Sequence, residues 1–172
     1  MLGIILLYVG MVLISNGIAR LYKINDKSIV VMNLFTGGLS LVLNLIAIGY
    51  GIVSNQSTEF FFASGTGLLF AFTYLYVAIN TIFNLDQRLY GWYSLFVAIN
   101  AVPAAILCFY GYGGNTFYGI IWLCWGVLWL TGFIENVLKQ ELGAVVGWIG
   151  VIEGIFTAWI PGFLMLINMW PK

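Results

Sequence analysis

From Leu89 to Ile134 the chain reads LYGWYSLFVAINAVPAAILCFYGYGGNTFYGIIWLCWGVLWLTGFI, without one Asp, Glu, Lys or Arg. An α-helix needs about 20 apolar residues, at about 1.5 Å rise each, to cross the hydrocarbon core of a bilayer. This 46-residue run is therefore two crossings. Gly111-Tyr112-Gly113-Gly114-Asn115 supplies the turn between them. Residues 1–19, 28–58 and 60–85 are equally free of charge. The spacing predicts six helices, near 2–19, 29–53, 60–83, 90–110, 117–134 and 143–169. The apolar runs are continuous and do not alternate with polar residues, which favours helices over a membrane barrel. The expected fold is an all-α membrane protein of six transmembrane helices, forming one domain over residues 1–172.

Composition agrees. Hydrophobic residues make up 62% of the 172 residues and charged residues only 7%, six basic against six acidic. Soluble domains carry about 25% charged residues, so a cytoplasmic enzyme is excluded. Nucleic acid is excluded as a partner because phosphate contacts need a basic patch. The absence of histidine removes triad catalysis, haem ligation and most zinc sites. No Walker loop or dinucleotide fingerprint is present, so no cofactor and no catalytic site are expected. Cys108 and Cys124 lie inside apolar runs and read as small buried hydrophobes. Met1 leads into the first span with no basic segment before it, so no removable signal peptide is expected.

Arg20, Lys23 and Lys27 fall between spans one and two, Arg88 between three and four, and Lys139 between five and six. The loops around Ser54–Glu59 and Gly111–Thr116 hold no basic residue. The positive-inside rule then assigns the basic loops to the cytoplasm and both termini to the outside. Odd-numbered spans end in Leu-Ile-Ser-Asn16, Val-Ala-Ile-Asn80 and Phe-Ile-Glu-Asn136. One helical hairpin used three times around a central path accounts for this, as does chance similarity among apolar segments.

Trp122, Trp125 and Trp129 are spaced i, i+3, i+7 and share one helix face, while Phe70 and Tyr74 pair on the third span. Trp125 falls at mid-span, away from the interfacial belt where tryptophan usually sits. Helix packing and a slot lined by aromatic faces are the two readings. Leu6, Val9, Leu13 and Asn16 form a comparable stripe on the first span, where packing is the stronger explanation. Glu153 is the one charged residue well inside a span. Buried carboxylates of this kind face a cavity or a partner, or are protonated and hydrogen-bonded to a neighbouring helix. Glu135, at the end of the fifth span, reads as an interfacial anchor. Gly143, Gly147, Gly150 and Gly154 give small-xxx-small spacing on the sixth. Pro103 and Pro161 are candidate kinks.

At these residues the sequence resembles the AmiS/UreI family of urea and short-chain amide channels. Met1-Leu-Gly-Ile-Ile-Leu-Leu-Tyr-Val-Gly10 through Leu-Ile-Ser-Asn16-Gly carries the resemblance. So do Gly67-Leu-Leu-Phe70-Ala-Phe-Thr-Tyr74-Leu-Tyr, Trp92-Tyr-Ser-Leu-Phe-Val-Ala-Ile-Asn100, Ile121-Trp122-Leu-Cys-Trp125-Gly-Val-Leu-Trp129-Leu and Ile152-Glu153-Gly-Ile-Phe-Thr-Ala-Trp159-Ile-Pro161. The resemblance implies a homohexamer in the bacterial cytoplasmic membrane, each protomer with its own pore, supplying urea to urease. It places Val9, Leu13, Phe70, Tyr74, Trp125, Leu128 and Trp129 at narrow filters, with Glu153 as a polar pore residue. Leu6, Asn16 and Trp122 join them from the stripes described above.

Urea suits such a lining. It is small, flat and neutral, so aromatic rings can replace water on its faces. The indole N–H groups, the Tyr74 hydroxyl and Glu153 are candidates to meet its edges. Hydrated ions cannot shed their shells in an apolar constriction. Short-chain amides are the alternative solute, a proton-coupled transporter using Glu153 the alternative mechanism, and a non-transporting scaffold a third reading. Acid-gated members of the family have longer, histidine-bearing outward loops. Here those loops are short and hold Glu59 as their only carboxylate side chain, so an ungated channel is expected.

Overall fold

The computed structural model describes residues 1–171. Helix α1 (Leu2–Leu21) leads through a 3-10 turn (Asp26–Ile29) to α2 (Val30–Val53). Then follow α3 (Thr58–Phe83), α4 (Arg88–Phe109), α5 (Thr116–Asn136), α6 (Ala144–Glu153) and α7 (Ile160–Leu166). A π-helical turn, Gly154–Trp159, joins α6 to α7, so that Ala144–Leu166 forms one span. Six spans long and apolar enough to cross a membrane result, with no strand among the described residues. Their ends lie within three residues of those expected from the charge pattern.

The ends are set by local chemistry. Ser57 Oγ accepts from Phe60 N–H at 3.3 Å and Asn115 Oδ1 from Tyr118 N–H at 2.9 Å, capping the starts of α3 and α5. Asn84 closes α3 in the left-handed conformation that asparagine tolerates. Pro161 brings no N–H to the helical ladder, and the turn before it opens into the π form.

The spans close into a ring. Three pairs pack tightly: α1 along the whole α6–α7 span, α2 on α3, and α4 on α5. Lighter contacts of α1 with α2, α3 with α4, and α5 with α6 complete the circle. The threefold hairpin read from Asn16, Asn80 and Asn136 thus exists in chain order, but close packing is shifted by one helix. Glycine explains the shift. Gly3, Gly10 and Gly17, seven residues apart on α1, face the last span. A Cβ on Gly10 would lie 2.6 Å from Trp159 N, and one on Gly17 would lie 2.6 Å from Gly147 O. Backbones that close admit no side chain between them. Outside the ring, large apolar side chains such as Phe35, Phe83, Trp148 and Phe156 are exposed, as lipid contact requires.

Candidate solute pathway

Phe70 of α3 stands against all three α5 tryptophans. Its ring centroid lies 4.7 Å from Trp125, 5.0 Å from Trp129 and 5.8 Å from Trp122. The rings meet edge-on or tilted, the arrangement favoured by aromatic quadrupoles. Trp122 and Trp129, two turns apart on α5, stack at 6.4 Å. Tyr118 caps the cluster edge-on to Trp125 at 5.8 Å.

Two cavities flank this cluster, and Phe70 lines both. The larger, about 360 Å³, opens toward the end that carries the charged loops and is lined by Leu13, Asn16, Tyr74, Trp125, Leu128 and Trp129. The smaller, about 110 Å³, lies toward the chain termini and is lined by Leu2, Leu6, Phe62, Tyr118 and Trp122 among others. The aromatic cluster is the partition between them. Val9 and Glu153 line neither cavity. Val9 sits one turn from Leu6 and one from Leu13, and Glu153 follows the cavity residue Gly150 by one turn, so both belong to the partition level. Glu153 is 8% exposed and its Oε2 is unpartnered. No hydrogen bond joins its carboxyl to a neighbouring helix among the described residues, contrary to the structural alternative.

Expectation and structure part at two of the three tryptophan N–H groups. Trp125 Nε1 donates to Thr157 Oγ1 at 2.9 Å, and Trp129 Nε1 donates to Thr73 Oγ1 at 3.1 Å. Neither indole is left to meet a solute edge. Tyr74 is buried and lines the larger cavity. Sequence reading missed Thr73, Thr157 and Tyr118. A threonine in an apolar helix carries no signal that separates such a role from ordinary bonding to its own turn.

Asn16 is tied to Asn33 by two amide hydrogen bonds, of 3.2 and 2.8 Å. At the mouth of the larger cavity the Arg20 guanidinium pairs in bidentate fashion with Glu135, and its Nε donates to Gly143 O at 2.7 Å. Glu135 also accepts from Leu142 N–H. This carboxylate is therefore a tie between α1, α5 and the α5–α6 loop as well as an end-of-span anchor. In the α3–α4 turn, hydrogen bonds from Arg88 hold the exposed Asp86 carboxyl below its ordinary value, at about 2. At the opposite end, Gly113 N–H donates to Glu59 at 2.7 Å, joining the α4–α5 loop to the first turn of α3.

Known proteins share this fold. The AmiS/UreI family transporter model matches residues 1–169. The crystal structure of the urea channel from the human gastric pathogen Helicobacter pylori superposes with a TM-score of 0.91 at 55% identity, covering 99% of this chain and 100% of that one. An acid-activated urea channel of Helicobacter pylori (strain J99) is 52% identical over 99% of this chain and its own full length. That alignment runs over 195 positions against 172 residues here, leaving 23 or more positions of the relative without a counterpart. A protein of Mycolicibacterium smegmatis named for amidate substrates is 39% identical over 98% of this chain and 78% of its own length. The chain belongs to the AmiS/UreI family of transporters.

Proposed function

We propose that this protein is a passive urea channel of the bacterial cytoplasmic membrane, a single channel domain that conducts through the aromatic partition between its two cavities. The observation that carries the reading is that partition: Phe70 against Trp122, Trp125 and Trp129, with a cavity on either side. Urea enters the smaller cavity, exchanges water on its faces for aromatic rings, and meets the Tyr74 hydroxyl beyond them. Leu6, Val9, Leu13 and Leu128 keep the passage apolar, which denies ions a substitute for their hydration shells. Asn16 lies at the inner end, and Glu153 stands beside the slot as its polar residue. Few polar partners mean weak binding, which conduction needs. Urea as the solute is supported by the names of the Helicobacter relatives.

The charged loops face the cytoplasm and both termini the outside. The protomer assembles as a homohexamer and delivers urea to urease. It is not acid-gated, a reading supported by the absence of histidine and by the positions of the acid-activated relative that have no counterpart here. Short-chain amides are the second reading, supported by the amidate-named relative. Swelling of proteoliposomes in urea, acetamide and formamide separates the two. Faster uptake of urea than of either amide supports the first, and the reverse order the second. Uptake that requires a proton gradient would replace the channel with a proton-coupled carrier.

A further inference from the structure

Two of the three indole N–H groups of the slot, those of Trp125 and Trp129, end on a threonine, and both threonines are fixed the same way. Thr73 Oγ1 donates to Leu69 O at 2.7 Å, and Thr157 Oγ1 donates to Glu153 O at 2.6 Å. Each hydroxyl has one proton, already spent within its own helix, so its oxygen can only accept. The indole N–H is the donor that completes it. Thr73 and Thr157 are 6% and 7% exposed, and branching at Cβ limits their rotamers. The acceptors are thus rigid points on two different walls. One stands on α3, and the other on the π turn that widens the last span beside Glu153. Trp125 and Trp129, four residues apart on α5, are held by two different spans, the last one and α3.

An indole has two side-chain torsions, and packing against Phe70 leaves its tilt adjustable. A hydrogen bond from Nε1 to a fixed point removes that freedom. Resting on the reading of the partition as a urea slot, we infer that Thr73 and Thr157 are positioning residues that set the tilt of Trp129 and Trp125. They thereby set how flat and narrow a solute must be to pass. They also occupy two of the three indole N–H groups of the partition, those of Trp125 and Trp129, which leaves fewer donors to hold a solute by its edges. Valine has nearly the shape of threonine and no acceptor. It would leave an indole N–H buried and unpaired, which turns the ring toward the solute path.

The test compares Thr73→Val and Thr157→Val with Thr73→Ser and Thr157→Ser, each reconstituted and assayed for urea and for the bulkier N-methylurea. The Val variants should lower the urea to N-methylurea flux ratio by roughly threefold to tenfold, the span that loss of one hydrogen bond corresponds to. The Ser variants keep the hydroxyl and should keep the ratio. An ultraviolet resonance Raman marker of indole hydrogen bonding should shift in the Val variants and stay in the Ser variants. An assembled Val variant with an unchanged ratio or an unchanged indole signal overturns the inference. So does a Ser variant that loses the ratio as fully as Val. Should Val prevent assembly, Ala at the same position replaces it under the same criteria. Wild-type protein that passes no urea would overturn the channel reading instead, and the indole signal would still judge the threonines.

Discussion

Phe70 touches both cavities and all three tryptophans, so the proposed pathway narrows at four rings. Removing one of them should change what passes. Trp129→Ala is expected to lose discrimination against larger amides or to collapse the slot and stop flux. An assembled variant with wild-type flux and selectivity, measured by stopped-flow uptake, contradicts the assignment. Glu153 offers a sharper comparison, because its carboxyl is buried and lacks a protein partner. Glu153→Gln keeps shape and hydrogen-bonding capacity and should reduce urea flux far less than Glu153→Leu. Equal loss of assembly in both would mark a structural role, and normal flux in Glu153→Leu would remove the residue from the pathway. The tryptophan face was legible because spacing of three and four residues projects side chains to one side of a helix. The threonines were not. Thr66 and Thr81 bond to their own turns as Thr73 does, and only the fold shows which one faces an indole.

The helices themselves were readable from charge alone, since a bilayer demands long uncharged runs and leaves charges to the loops. Which helices pack closely was not. Gly3, Gly10 and Gly17 repeat every seven residues, but the partner face is supplied by Gly147, Gly154 and Gly162, more than a hundred residues away. That pairing requires the ring to close. Gly10→Leu should therefore drive α1 from the last span and destabilise the protein by about 1–3 kcal/mol or more. Gly38→Ala in α2, where a Cβ meets nothing within 4 Å, should leave it unchanged or raise its stability by up to about 1 kcal/mol. Thermal unfolding in detergent separates the two, and equal melting temperatures would contradict the packing account. The π turn was hidden for a related reason. Pro161 announces a disturbed ladder, yet it does not say whether the helix kinks or widens.

Across the molecule the carboxylate and basic side chains gather at the two ends, apart from Glu153. At the end with the charged loops, Asp86 has its folded value depressed by Arg88 to about 2. A depressed carboxylate stabilises the fold above its ordinary range and loses that contribution only as pH falls through about 2. This turn should therefore be insensitive to pH between about 5 and 8. At the other end no histidine is present to switch in that interval. Purified protein in liposomes, mixed with urea at external pH of about 7.5 and about 5 with no proton gradient imposed, decides the matter. Urea should enter well above the rate of empty liposomes, and at comparable rates at both values. Entry no faster than in empty liposomes would contradict the channel, and entry confined to the acidic condition would contradict its ungated form.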